Sequence, residues 1–206
     1  DRRVADLEGL AYFLRTRAAH VAQTSLYGYL RTRAGTRFPE LFSDDAFVAS
    51  INIAKWQVWL ACVSDLAVYA GGLVRRSARA RASEVAPLMV GVVDSLLQET
   101  GVPEEAGGDY ESHASRVRVR IAMCDWGAVP EDETAFSQSP AALVQWAPIV
   151  DELKQLDEEI VRNSVRFRWQ EVRRDLQRLL DADAVMASAR PAVPRGPASS
   201  DINRER

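Results

Sequence analysis

Residues 46–74 decide the fold; they read AFVASINIAKWQVWLACVSDLAVYAGGLV. Apolar side chains repeat there at three- and four-residue spacing on more than one face, which predicts a helix that is apolar nearly all round. A helix of this kind is usually surrounded by other helices. Ser43, Asp44 and Asp45 precede it and favour a helix start, because a hydroxyl cap and carboxylates stabilise the positive end of the helix dipole. We therefore expect the central helix of a bundle here, weakened at its end by Gly71 and Gly72.

Helical periodicity continues on both sides of this central segment. The predicted helices lie at residues 4–34, 46–74, 83–100, 109–126, from 139 to a break at Pro148, and 149–182. The predicted fold class is therefore all-α: a single helical-bundle domain of five to six helices over residues 1–185. Residues 186–206 are rich in proline and serine and lack apolar periodicity, which predicts a disordered C-terminal tail.

Residues 114–124 fit two patterns. Arg and apolar residues alternate from Arg116 to Ile121, as they do in a half-buried strand. Ala114, Val117, Ile121 and Cys124 also follow helical spacing. A lone strand would find no partner elsewhere in the chain, so helix is the favoured interpretation and strand the alternative.

The last long helix carries two apolar stripes that are rotated from each other. One stripe contains Leu153, Leu156, Ile160 and Phe167, and the other contains Val165, Trp169, Val172, Leu176 and Leu179. Two stripes offer more apolar surface than one contact within a bundle needs. We therefore expect the protein to associate, with a second copy of itself as the favoured partner.

Charge is segregated along the chain, although the total net charge is only −3. Residues 83–160 carry a net charge of −12, whereas residues 1–82 carry +5 and residues 161–206 carry +4. An acidic total argues against nucleic acid as a partner, because domains that bind it are usually strongly basic. The acidic middle can be neutralised within one chain or between chains, and the sequence leaves both alternatives open.

No transmembrane segment is predicted. The best candidate, residues 59–74, has Ser64 and Asp65 at its middle, and a carboxylate there is costly in a membrane. Cys62 and Cys124 are the only cysteines, which is compatible with a reducing compartment, and we expect a cytoplasmic protein. Of the 26 basic residues 24 are Arg, a usage typical of GC-rich bacterial genomes.

The sequence contains no recognisable catalytic or cofactor motif. Its two histidines, His20 and His113, are not part of a Glu-x-x-His pair, and no glycine-rich phosphate loop or nucleophile elbow is present. We therefore predict no catalytic residue, no metal ligand and no cofactor, and we expect that the protein is not an enzyme.

Asp65 lies in the most apolar stretch of the chain. An acid in such a place is normally paired with an Arg or has a function, and the paired structural role is the favoured interpretation. In the alternative, Asp65 lines a pocket together with Trp56 and Trp59 beside the second helix. Such a pocket would bind an apolar or amphipathic small molecule, with or without catalysis.

Arg162, Arg166, Trp169 and Arg173 lie along one side of the last helix and predict an exposed cationic face with a half-buried Trp. The leading functional hypothesis is a non-enzymatic helical interaction or scaffold protein. It would act through this long helix and the segregated charged surfaces, and its partner would be another protein or, as we favour, a second copy in a homodimer.

Overall fold

The computed structural model describes residues 2–190, and the predicted all-α class is confirmed there. The α-helices are α1 (Leu7–Ala34), α2 (Phe38–Leu41), α3 (Asp45–Ser77), α4 (Ala82–Thr100), α5 (Tyr110–Ala122), α6 (Ser139–Trp146), α7 (Asp151–Leu179) and α8 (Ala182–Ser188). The six longer ones correspond to the predicted helices, and the short α2 and α8 are additional. In this described part the chain has no β-strand, only an isolated bridge between Val4 and Leu180.

Of the predicted disordered tail, residues 186–206, the structure describes only residues 186–190. Helix α8 continues to Ser188 and therefore passes the predicted domain boundary at residue 185. Residues 191–206, which make up most of the predicted tail, lie outside the described residues.

Helix α3 is the central helix, as its composition predicts. It packs against α1, α4, α5, α6 and α8, and nearly all of its residues from Val58 to Val74 are buried. Its apolar side chains point in all directions because another helix covers nearly every side.

By length and composition alone, α3 is also able to cross a membrane. An 18-residue window within Asp45–Ser77 has a mean hydropathy of 1.4, and 89% of that window is buried inside the protein. The core helix of a soluble protein passes the same test, because its apolar surface is covered by neighbouring helices. The expectation of no transmembrane segment stays a prediction.

Asp44 is the N-terminal cap of α3. Its carboxylate accepts hydrogen bonds from the backbone N–H groups of Ala46 at 2.9 Å and Phe47 at 3.3 Å. These two N–H groups have no partner within the helix, and the carboxylate of Asp44 satisfies them. The expected hydroxyl cap, Ser43, lies one residue before the observed cap.

Gly71 and Gly72, which the sequence predicts to weaken the end of this helix, lie inside it, and the weakening stays a prediction. Helix α3 continues to Ser77, and the segment between α5 and α6 packs closely on the two glycines. A Cβ atom on Gly71 would lie 2.2 Å from Cζ3 of Trp126, and one on Gly72 would lie 2.6 Å from Cγ1 of Val129. The glycines therefore allow a close approach and do not end the helix.

Residues 114–122 are helical, which resolves the ambiguity between helix and strand. Ala114, Val117 and Ile121 are buried on one face of α5, whereas Val119 is 56% exposed. A strand would have placed Val119 on the same side as Val117 and Ile121. The alternation of Arg and apolar residues therefore does not reflect a strand.

Ion pairs within the chain connect the acidic middle segment with its basic flanks. They join Arg15 to Glu99 at 3.1 Å, Arg76 to Glu131 at 3.3 Å, Arg173 to Glu133 at 3.5 Å, Lys55 to Glu105 at 3.7 Å, and Arg33 to Asp157. Neutralisation within one chain therefore takes place. Segregated charge along the sequence no longer argues by itself for association between chains.

Candidate interaction surface

Asp65 is fully buried and has the Arg partner that the sequence predicts. Nη1 of Arg120 on α5 donates to Oδ1 of Asp65 at 2.7 Å and to Oγ of Ser64 at 3.0 Å. The backbone N–H groups at the start of α6 complete the site, since Ser139 donates to Oδ2 at 2.7 Å and Gln138 at 3.1 Å. The predicted pairing of a buried Asp65 with an Arg is confirmed.

These contacts join three helices, α3, α5 and α6, at one point. Burial raises the pKa of the Asp65 carboxyl, while the charge and hydrogen bonds of Arg120 act in the opposite direction. The network extends to α7, where Nε1 of Trp169 donates to Oγ of Ser139 at 2.9 Å. Asp65 thus links α3 to α5 and α6 directly, and to α7 through Ser139.

The structure does not bring Trp56 and Trp59 together with Asp65. Nε1 of Trp59 donates to the backbone oxygen of Arg15 on α1 at 3.3 Å, and Nε1 of Trp56 donates to Glu105 at 3.1 Å. The two indole rings contact each other edge to face at 5.4 Å. Asp65 makes its contacts on α5 and α6 instead and is closed to solvent, so these three side chains do not line one pocket.

The prediction of an exposed cationic face with a half-buried Trp on α7 is wrong for Trp169. Trp169 has no exposed surface and stacks on Phe136 with ring centroids 4.5 Å apart. Arg173 is held against the core, where it lies over the ring of Tyr69 and donates to the backbone oxygen of Glu131 at 2.9 Å.

The remaining two members stay near the surface but do not form a patch with Trp169. Arg162 is paired with Glu158 at 2.7 Å, and Arg166 is exposed and donates to Oδ1 of Asn163 at 3.0 Å. The four residues fail to form one surface because Trp169 belongs to the stripe of α7 that faces the bundle.

One of the two apolar stripes of α7 is buried and the other is exposed. The buried stripe, which packs towards α1 and α6, consists of Val161, Val165, Trp169, Val172 and Leu176. The other stripe remains on the surface: Leu156 is 76% exposed, Ile160 is 73% exposed and Phe167 is 71% exposed. We call Leu153, Leu156, Ile160, Asn163 and Phe167 the outer stripe.

The outer stripe has the spacing of a coiled-coil seam. Its members follow one another at intervals of three, four, three and four residues, which corresponds to the a and d positions of a heptad. Such a stripe keeps facing a partner helix when two helices wind around each other.

Charge changes sign along the same helix. Residues 151–159 hold five acidic side chains and one Lys, whereas residues 162–178 hold six Arg and two acidic side chains. Glu159 and Arg166 are both exposed and flank the same edge of the outer stripe, one on each side of its centre. This edge of the outer stripe is therefore acidic at Glu159 and basic at Arg166.

The side chains with catalytic or metal-binding chemistry are dispersed. His113 places Nδ1 2.6 Å from Oε1 of Gln57 and meets Trp146 edge to face, whereas His20 is exposed. Burial raises the pKa of the Cys62 thiol well above its usual range. Among residues 2–190, no three His, Cys, Asp or Glu side chains lie close enough together to hold a metal ion.

No protein-family model, no curated protein and no solved structure matches this chain.

Proposed function

We propose that the protein is a non-enzymatic helical interaction module that forms a homodimer through the outer stripe of α7. The observation that carries this proposal is the exposure of Leu156, Ile160 and Phe167, each more than two-thirds in contact with solvent. Monomeric proteins rarely leave large apolar side chains in one continuous row, and such rows mark contact surfaces.

The spacing of the outer stripe supports a helix as its partner. Knobs at a and d positions fill holes on a facing helix, so a second α7 supplies a matching surface. From Leu153 to Phe167 the row covers about 21 Å of helix, at about 1.5 Å per residue. Asn163 lies within this row, and a single polar residue in a seam favours one register over others.

The charge pattern supports an antiparallel arrangement. When two copies of α7 cross about a two-fold axis near residue 162, the acidic half of each faces the basic half of the other. Leu156 then meets Phe167 of the second copy, and Glu159 lies beside its Arg166. A two-fold contact of this kind uses the same surface on both chains, so it closes at two copies. A parallel arrangement would place like charges side by side, which is unfavourable.

Molecular mass in solution tests the proposal. We expect light scattering to give twice the chain mass of 22.9 kDa for the wild type, and the single mass for Leu156→Asp. Met123→Asp is the matched control, because Met123 is 80% exposed but follows α5, away from the outer stripe. This control should remain a dimer.

Two results would overturn the proposal. One is a wild-type mass of 22.9 kDa at high protein concentration and low salt. The other is a dimer that Leu156→Asp leaves intact, because then some other surface joins the chains.

A further inference from the structure

A groove of about 460 Å³ lies between α1 and α7. Its volume falls in the range of roughly 300–1,000 Å³ that small-molecule sites occupy. Side chains of both helices line it, among them Ser25 and Tyr29 from α1 and Val161 and Arg168 from α7. The ion pair of Arg33 with Asp157 also borders the groove.

Arg168 has no counter-charge in this groove. In the part of the chain that the structure describes, its guanidinium makes no ion pair or hydrogen bond, and its Nε is buried without a partner. The guanidinium lies over α1 beside Gly28, since Nη2 would be 3.5 Å from a Cβ atom placed there. A donor that is buried without an acceptor costs free energy, and an anion in the groove would remove that cost.

Ser25 supplies a second unused polar group at the same place. It is 4% exposed, and within residues 2–190 its hydroxyl has no hydrogen-bond partner. Hydroxyl side chains in a helix commonly donate to the carbonyl oxygen four residues earlier, as Thr24 does to His20 and Thr32 does to Gly28. Ser25 makes no such bond, so its hydroxyl can donate to a ligand.

The remaining charges in the groove balance each other. Arg33 neutralises Asp157, whose Oδ2 also accepts a hydrogen bond from the Tyr29 hydroxyl at 2.9 Å. The unmatched charge is therefore the single positive charge of Arg168. The rest of the lining includes apolar surface, namely Ile160 and the buried Val161.

We propose that this groove binds a small amphipathic monocarboxylate. The carboxylate pairs with the planar fork of the Arg168 guanidinium, which matches two carboxylate oxygens. It also accepts a hydrogen bond from the Ser25 hydroxyl. The apolar body of the ligand packs on Val161 and Ile160.

This site does not depend on the homodimer. Ile160 is the only member of the outer stripe that lines the groove. Leu156 lies outside the lining, so the monomeric variant Leu156→Asp retains the complete site. Measuring carboxylate binding on this variant therefore tests the groove independently of the proposed homodimer.

Calorimetric titration with octanoate tests the proposal, on both the wild type and Leu156→Asp. We expect saturable binding to both and no binding of octan-1-ol, which has the apolar chain without the charge. Arg168→Gln should weaken octanoate binding by at least about tenfold, because it removes the charged partner. Arg174→Gln is the matched control, since Arg174 is exposed on the same helix and does not line the groove.

Ser25→Ala provides an independent readout. It removes a hydroxyl that has no partner in the described chain, so the unfolding temperature of the free protein should not fall. Octanoate affinity should nevertheless drop about tenfold, because a hydrogen bond to the charged group is lost. The site is overturned if octanoate does not bind, if Arg168→Gln and Ser25→Ala leave its affinity unchanged, or if inorganic phosphate binds and octanoate does not.

Discussion

Asp65, in the middle of α3, caps the N-terminus of α6, where the backbone N–H of Ser139 donates to its Oδ2 at 2.7 Å. The first N–H groups of a helix lack partners within it and are normally satisfied by a neighbouring side chain. Gln138, the local cap residue of α6, makes no side-chain bond of this kind. A carboxylate from another helix takes its place, and the positive end of the α6 dipole, together with Arg120, stabilises its charge.

Replacement of Asp65 should therefore destabilise the whole bundle. Asp65→Ala leaves the guanidinium of Arg120 and the N–H groups of α6 without their acceptor, and the expected loss is about 3–5 kcal/mol of unfolding free energy. Urea denaturation measures this loss. Asp94→Ala is the control, because Asp94 pairs with Arg118 on the surface, where an ion pair contributes only about 0–1 kcal/mol. Equal losses in the two variants would contradict the structural role of Asp65.

An exchange of charges tests the antiparallel dimer. Glu159→Arg alone places two Arg side chains opposite each other across the proposed seam, and Arg166→Glu alone places two Glu there. Each single variant should raise the dimer dissociation constant, by about tenfold for a loss of about 1.4 kcal/mol. The double variant Glu159→Arg with Arg166→Glu restores opposite charges and should recover dimerisation. Sedimentation at low salt measures all four proteins, and a double variant weaker than both singles would exclude this pairing.

The close approach at Gly71 predicts that replacing a helical glycine with alanine has opposite effects on stability at Gly71 and at Gly91. Gly71→Ala forces a methyl group into the ring of Trp126 and should cost about 1–3 kcal/mol or more, the range for an overpacked core. Gly91→Ala adds a methyl group with nothing within 4 Å, inside α4, and should stabilise the protein by about 0.5–1 kcal/mol. Thermal unfolding compares the two variants. A stabilising Gly71→Ala would show that the loop of Trp126 does not pack on α3 in this way.

Asp157 should make stability depend on pH in the acid range. The guanidinium of Arg33, followed by the hydroxyl of Tyr29, lowers the pKa of its carboxyl below the unfolded value. Its contribution to stability is therefore complete above an unfolded pKa of about 3.9 and is lost as the pH falls through the lower folded pKa. Asp157→Asn should be less stable than the wild type at neutral pH, and the difference should shrink towards pH 2. Denaturation at fixed protein concentration across this range measures it, and a constant difference would contradict the prediction.

The sequence was sufficient for features that depend on local periodicity and composition. It predicted an all-α fold, the central position of α3, the start of α3 next to Asp44 and the pairing of Asp65 with an Arg, because each follows from neighbours along one helix or from the cost of burying a charge. It also showed both apolar stripes of α7. Periodicity alone does not reveal which stripe faces the bundle, since a row that packs inward and a row that faces solvent have the same spacing.

Tertiary structure decided the rest, because the deciding contacts join residues that are far apart in sequence. The bond between Asp65 and Ser139 spans 74 positions, and no local pattern marks it. Packing placed Trp169 in the core and left Phe167 in solvent, although they are two residues apart. It also brought Ser25 of α1 and Arg168 of α7 to one groove, where the Ser25 hydroxyl and the Arg168 Nε are buried and have no hydrogen-bond partner among the described residues. Local sequence thus determined the helices, whereas the packing of the helices determined which of their side chains are buried and which face solvent.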